Sequence, residues 1–211
     1  MATAIPPFTL RLVDGRRLER RYRDVLMPSG ILCDHAGQAR VLPRYFYEIE
    51  SWDQARDTYL SPHFSVSEFI HTDVREAPPL RIFPRYVPCA VVQLATALEL
   101  FRDTVGSYVY IGANGGYCSP RHARIGGASP HCWGTAANVY RVGDTYLDSQ
   151  ESIAKYAEIF RGVLPTVWTR PLGAEADKTD DHLHVDLGYV VTTPREAAGE
   201  TFNLKLAGDP L

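Results

Sequence analysis

The sequence predicts an α+β domain in which a small antiparallel β-sheet is flanked by helices. Three segments rich in β-branched or aromatic residues are typical of strands, and two segments carry apolar residues at helical spacing. They follow one another without the regular strand-helix alternation of a doubly wound parallel sheet. The chain has 211 residues, of which 45% are hydrophobic, enough to bury one core.

A β-rich N-terminal extension is expected over residues 1–58. Short apolar runs alternate there with turn formers, and FTLRLVDGRRL, residues 8–18, has the pattern of a hairpin about Asp14 and Gly15.

The pattern changes near residue 60, where the main domain is expected to begin. Ser65 precedes Glu68 by three residues, a capping-box spacing that starts a helix. We therefore expect a main domain over residues 59–195 and a C-terminal tail over residues 196–211.

Two longer helices are predicted in the main domain. Apolar residues share one helical face between Pro88 and Asp103, and again over residues 148–162, where Asp148 lies three residues before Glu151 as a cap. The expected strands are 107–113, 165–171 and 182–191.

Charge and hydropathy exclude two classes of partner. The net charge of -3 argues against a nucleic acid, and no run approaches the roughly 18 apolar residues of a membrane span. The N-terminus lacks the pattern of a secretory signal, so we expect a cytoplasmic protein, with release by lysis or by dedicated export as alternatives. The four cysteines lack the paired spacings of a structural zinc site and are expected to be free thiols.

Two polar clusters point to a metal site. GGASPHCWGTAANVYRVG, residues 126–143, carries one histidine among small residues, and DDHLHVDLG, residues 180–188, carries two. A hydrolytic metal centre needs about three nitrogen or oxygen ligands and an open position for water, and His131 and His184 are candidates for two of the ligands.

The second cluster predicts how its side chains are oriented. His182 and His184 are two apart, so on a regular strand both rings point to one face. Asp181 lies an odd number of residues from His184 and can share the site only if it lies in the turn before the strand. Asp186 is expected to orient a ring nitrogen of the last histidine.

These stretches resemble the zinc D-alanyl-D-alanine peptidases, whose fold is shared with the Hedgehog signalling domain and with phage endolysins. Ser129, His131, Gly134 and Ala136 fit the pattern S-x-H-x-x-G-x-A-x-D, and residues 182–184 fit the motif H-x-H. LSPHFSVSEFI, residues 60–70, and GGYCSPRHARIGGAS, residues 115–129, are similar to two further family segments in the correct order.

The resemblance implies a zinc site and a reaction. His131, His184 and the position of Asn138 would hold zinc, Asp181 would be the general base, and His182 would lie beside the metal. Ser129 would support the first ligand. The implied activity is hydrolysis of a peptide bond between small, often D-configured residues, as in peptidoglycan stems, so the expected partner is a small peptide or an amino-acid-like substrate.

Three departures from the family pattern fall on the chemistry itself. Asn138 stands in place of an aspartate ligand, and because it coordinates through a neutral carbonyl we expect weaker zinc binding. Asp181 replaces the family's glutamate and is one methylene shorter. Cys118 replaces a substrate-binding arginine, for which Arg121 is the expected substitute.

Several alternatives stay open. A thiolate of Cys118 or Cys132 is an alternative metal ligand, nucleophile or substrate contact. Besides a metal-dependent hydrolase, the sequence is compatible with a non-catalytic binding domain for a cell-wall fragment or a protein partner. It is also compatible with an enzyme of altered reaction type that acts on an amino-acid-like metabolite.

Overall fold

The computed structural model describes residues 10–171 and 181–195. This part of the chain is mixed α+β and contains five α-helices and several small antiparallel sheets. The helices are α1 (Arg20–Leu26), α2 (Trp52–Asp57), α3 (Val66–Phe69), α4 (Val91–Val105) and α5 (Gln150–Val163).

Twelve strands lie within the described ranges. They are β1 (Arg11–Asp14), β2 (Ile31–Cys33), β3 (Ala39–Val41), β4 (Tyr45–Ile49), β5 (Tyr59–Ser61), β6 (Phe64–Ser65), β7 (Arg85–Pro88), β8 (Val109–Ile111), β9 (Ala136–Val142), β10 (Thr145–Tyr146), β11 (Trp168–Thr169) and β12 (Leu183–Asp186).

The main sheet is built on β9, which pairs with neighbours along both edges. One edge pairs with β8. The other edge pairs with β12 along its first half and with β10 along its second half, and β11 lies outside β12. The sequence did not predict β9, because its first half, AANV, combines alanine and asparagine, which have low strand propensity.

Side-chain alternation gives this sheet a core face and a second face. Val139, Leu183 and Val185 are fully buried in the main hydrophobic core, together with residues of α4 and α5. Asn138 and His184 alternate with these residues and therefore point to the opposite side, which we call the site face.

A β-bulge in β9 extends the site face. Tyr110 pairs with Arg141, whereas the next residue of β8, Ile111, pairs with Val139, so Tyr140 is an extra residue. Tyr140 and Arg141 both contact the ring of Tyr110, which shows that they lie on the same side of the sheet.

A second sheet joins the predicted extension to the predicted main domain. Its strand order is β1-β4-β7, so β4 pairs with β7 across the expected boundary at residue 58. Ile49, Val87 and Leu94 belong to one core cluster. Helices α1 and α2 also lie within residues 10–58, beside the four strands of that segment. The division of the chain into three segments stays a prediction, and the expected tail over 196–211 is outside the described residues.

The predicted hairpin about Asp14 and Gly15 was wrong. The chain instead enters a short 3-10 helix, Gly15–Arg17, whose first turn is capped by the Asp14 side chain accepting from the backbone N–H of Arg16 at 3.1 Å. The partner of β1 is β4, and Asp14 also pairs with Arg44 at 2.6 Å. Aspartate followed by glycine suits a cap as well as a turn, so the local pattern could not decide between them.

The three predicted helices are confirmed, and two of the predicted caps differ. Helix α3 follows Ser65, whose side chain makes no capping hydrogen bond, and α4 covers the predicted apolar face. Helix α5 is capped by Ser149 rather than by Asp148, because Ser149 and Ser152 exchange backbone-to-side-chain hydrogen bonds of 3.2 and 3.3 Å. All three predicted strands are present and shorter than expected. Every helix in the described ranges falls short of the length and hydrophobicity that a membrane span requires.

Candidate metal centre

The candidate site lies where β9, β12 and β11 meet on the site face. Asn138 on β9 is directly opposite His184 on β12, so the antiparallel register brings the two side chains together. Trp168 on β11 lies opposite Asp186, and its ring centroid is 5.7 Å from that of His184. Strand pairing therefore fixes the relative positions of three predicted site residues.

His184 is held by contacts at both ring nitrogens. The Nε2–H donates to the Asp186 carboxylate at 3.1 Å, as the sequence predicted, and the other oxygen of this buried carboxylate accepts from the Gly188 N–H at 2.8 Å. In the tautomer that donates from Nε2, Nδ1 carries the lone pair and lies 2.8 Å from Oδ1 of Asn138, an atom that only accepts, so the Asn138 amide must turn by half a turn to donate its NH2 group to this nitrogen.

His131 is buried on a short 3-10 helix, Pro130–Trp133, that follows Ser129. Its Nδ1–H donates to the Gly116 carbonyl at 2.7 Å, which leaves Nε2 with a lone pair. Its ring centroid is 5.1 Å from that of His184. Burial holds the pKa of His131 well below its usual value, and the neighbouring His184 acts in the same direction, so the ring is neutral.

His182 and Asp181 lie just before β12, joined to each other. The His182 Nδ1–H donates to Asp181 at 2.6 Å, and the Nε2 accepts from Arg170 at 3.1 Å. Burial lowers the pKa of His182; the Asp181 contact opposes this change and Arg170 adds to it. The Asp181 side chain is 70% exposed, so the predicted base lies at the rim of the site, in the segment before the strand.

The two candidate thiols are buried close to His131. Cys118 donates its backbone N–H to the His131 carbonyl at 3.3 Å and its thiol to the Asn114 carbonyl at 3.6 Å. Burial raises the pKa of Cys118 to about 12 and also raises that of Cys132. Without a bound metal both groups are therefore thiols at neutral pH, which disfavours the alternative in which either acts as a nucleophile, whereas the alternative of a metal ligand stays a prediction.

The structure directs Arg121 away from the site and brings Arg124 to it. The Arg121 Nε–H reaches the Asp24 carbonyl at 3.5 Å on the surface. The Arg124 guanidinium instead donates to the Asn114 carbonyl and lies 3.7 Å from the Cys118 sulfur. Its charge also lowers the pKa of His131, so Arg124 is the cation near the first predicted ligand.

The N-terminal part of the chain supports the loop that carries His131. The Trp133 indole N–H donates to the Val41 carbonyl at 2.9 Å, and the Ala128 N–H donates to the Cys33 carbonyl at 2.8 Å. Trp133 is fully buried against Tyr189, with ring centroids 4.9 Å apart. The β2–β3 hairpin therefore supports the loop that carries His131 through these two hydrogen bonds.

A second group of metal-type side chains lies elsewhere. Among the described residues, His63, Glu99 and Asp103 place three ligand atoms within 4.8 Å of one another. Glu99 already accepts hydrogen bonds from Ser61 at 2.8 Å and from the His63 backbone N–H at 2.9 Å. Arg102 lies 4.0 Å from both carboxylates. These contacts are typical of a surface ion-pair network.

Comparison of the chain with known proteins gives no match to a protein-family model, to a curated protein or to a solved structure.

Sequence reasoning missed Arg170, Arg124 and Trp168. Arg170 and Trp168 lie two residues apart in the predicted strand 165–171, a spacing that indicates a shared face. The spacing does not identify the part of the fold that this face contacts. Arg124 is in a loop, where sequence spacing carries no information about side-chain direction.

Proposed function

We propose that this protein is a zinc-dependent hydrolase of the D-alanyl-D-alanine peptidase type, acting on a peptide or amide bond in a small substrate. One observation carries the proposal. His131 donates to Gly116, and in the tautomer that donates to Asp186 His184 does the same, which leaves one unprotonated nitrogen on each of two rings whose centroids are 5.1 Å apart, with the Asn138 amide 2.8 Å from that of His184. Fixing the tautomer through the second nitrogen is the usual arrangement for metal-ligating histidines.

These residues fit a zinc ion with three protein ligands. His131, His184 and the Asn138 carbonyl oxygen would hold it and leave a fourth position open, as catalytic zinc sites do. Zinc bound there would acidify a water molecule and polarise the scissile carbonyl. The ligand set is neutral, so it stabilises the dication less than a set with a carboxylate.

The chain's own groups supply the proton transfer and the charge stabilisation. Asp181 accepts a proton at its carboxylate, and the His182 N–H holds that carboxylate at the rim of the site. Arg170 orients His182, and Arg124 places a positive charge near His131. Both guanidinium groups favour negative charge that develops on the substrate.

The Hedgehog-like fold belongs to the same proposal. An antiparallel sheet with two of the ligands on paired strands, in the order of the family motifs, supports it. Action on cell-wall peptides by a cytoplasmic protein would require lysis or dedicated export.

One observation favours a second candidate, a non-catalytic binding domain. An asparagine amide, unlike a carboxylate, contains an NH2 group, which after a half-turn donates to the lone pair of His184 Nδ1. The pair is then satisfied without a metal ion, and the same cleft could serve to recognise a cell-wall fragment.

Elemental analysis of purified protein separates these candidates. We expect about one zinc per chain in the wild type, retention in His35→Ala, an exposed histidine outside the motifs, and loss in His131→Ala and His184→Ala. Zinc-dependent hydrolysis of D-alanyl-D-alanine should follow the metal content. A folded wild type that binds no zinc even when zinc is added would leave the binding domain as the function.

A further inference from the structure

The site face continues beyond the candidate metal centre into a group of aromatic side chains. We call Tyr108, Tyr110, Tyr140, Tyr146 and Arg141 the tyrosine cluster. Four of them lie on the neighbouring strands β8, β9 and β10, and Tyr108 directly precedes β8. Tyr140 follows Asn138 by two residues on β9, so the cluster begins next to a predicted ligand.

The rings of the cluster form a continuous row. The centroids are 6.2 Å apart between Tyr108 and Tyr110, 6.1 Å between Tyr110 and Tyr140, and 6.4 Å between Tyr140 and Tyr146. The Arg141 guanidinium lies 3.9 Å from the centroid of Tyr110 and 5.6 Å from that of Tyr146. Side-chain hydrogen bonds to Tyr146 and Tyr110 raise the pKa of Arg141, so this residue carries a positive charge within the row.

Folding does not account for this row. Tyr108 is 66% exposed and Tyr146 is 54% exposed, while the core lies on the other face of the same strands, at Val109 and Val142. Exposed aromatic residues gathered in one patch mark a binding surface more often than scattered ones do. The bulge keeps Tyr140 and Arg141, two consecutive residues, on the site face, so the row holds one residue more than regular alternation would allow.

The chemistry of the cluster suits a sugar. A pyranose ring has flat C–H faces that pack on aromatic rings, and hydroxyl groups that pair with tyrosine hydroxyls and with a guanidinium. The chain's net charge of -3 disfavours a nucleic acid as the stacking partner. We propose that the tyrosine cluster binds the carbohydrate part of the substrate whose peptide bond lies at the metal centre; the link to a peptide substrate rests on the proposed function.

Calorimetric titration with chitotetraose, the β-1,4-linked tetramer of N-acetylglucosamine, tests this proposal. The wild type should bind saturably, and Tyr140→Ala and Tyr110→Ala should each weaken binding by about tenfold, as expected for the loss of one stacked ring. Tyr59→Ala removes a tyrosine that is 40% exposed on β5, outside the cluster, and should leave the affinity unchanged. Thermal melts identify any variant that fails to fold.

The outcomes separate this inference from the proposed hydrolase. Sugar binding that survives in His131→Ala supports a site independent of the metal, even if no peptide is hydrolysed. Hydrolysis of a peptide without any saturable binding of chitotetraose would overturn the sugar site alone. Equal weakening by Tyr59→Ala would also overturn it, as would a Tyr140-dependent affinity for the sugar-free stem peptide in place of the sugar.

Discussion

At the scale of single residues, Asn138 determines how the candidate site treats a metal. Its amide is neutral and lies 2.8 Å from Nδ1 of His184, and after a half-turn its NH2 group would donate to that nitrogen in place of a cation. A carboxylate at this position would offer no donor to that nitrogen and would add one negative charge to the ligand set. The side chain at position 138 thus shifts the balance between zinc binding and an internal hydrogen bond between Asn138 and His184.

Asn138→Asp should therefore tighten zinc binding. We expect the affinity to rise by at least about tenfold, the scale on which changes at a metal site usually act. Competition with a chromophoric chelator measures this change, and Gln93→Glu, which adds the same charge at an exposed position on α4, is a control that should leave the affinity unchanged. An unchanged or weaker affinity for zinc would show that Asn138 is not a ligand.

At the scale of secondary-structure elements, helix α3 carries the carboxyl group of Glu68 in a partly buried position that disfavours its charged form. Burial raises the pKa of Glu68 from 4.5 to about 7, the Ser65 N–H acts against this change, and the charge of Glu99 adds to it. Between these two pH values the folded protein binds more protons than the unfolded chain. The contribution of Glu68 to the free energy of unfolding is therefore fully present below pH 4.5, and it is lost as the pH rises to about 7.

Glu68→Gln should remove this pH dependence. We expect the free energy of unfolding of the wild type to fall by about 1 to 2 kcal/mol relative to that of the variant between about pH 5 and pH 8. This fall is smaller than the full pKa shift implies, because the side chain is partly exposed. Urea unfolding at several pH values measures the difference. Glu158→Gln, at an exposed position on α5, should keep the wild-type slope. Parallel slopes for wild type and Glu68→Gln would contradict the prediction.

The helices and strands differ in how well the sequence alone predicts them. Helices α4 and α5 were predictable because their apolar residues repeat at helical spacing and need no knowledge of the partner. The central strand β9 was not, because Ala136, Ala137 and Asn138 have low strand propensity and form a strand through pairing on both edges. The motifs predicted the two histidines and Asp186. The replacement of Arg121 by Arg124 depends on loop conformation, which spacing does not encode.

At the scale of the whole molecule, the predicted extension and main domain share one core. Phe46 and Ile49 on β4 pack with Val87 on β7 in the same cluster as α4. The β2–β3 hairpin also supports the loop of His131 through Trp133. The N-terminal segment therefore contributes to both folding and site geometry.

A chain beginning at residue 59 should not fold. It would lack β1 and β4, leave β7 without its partner, and expose the apolar surface that Phe46 and Ile49 cover. We expect no cooperative thermal transition in this chain, whereas a chain shortened only to residues 10–211 should keep one. A cooperative transition in residues 59–211 alone would show that the boundary at residue 58 separates independent domains.

The bulge in β9 places two binding chemistries in different phases of one strand. Up to Asn138, even-numbered residues point to the site face, whereas beyond Tyr140 the odd-numbered Arg141 does so. Deleting the extra residue Tyr140 would restore regular alternation, with Arg141 still on the site face and Val142 still in the core, and it would remove one ring from the row. The pairing of Asn138 with His184 would be unchanged. The row of rings can therefore gain or lose a member at the bulge without a change at the paired ligands, so the candidate metal centre and the tyrosine row can diverge separately in evolution.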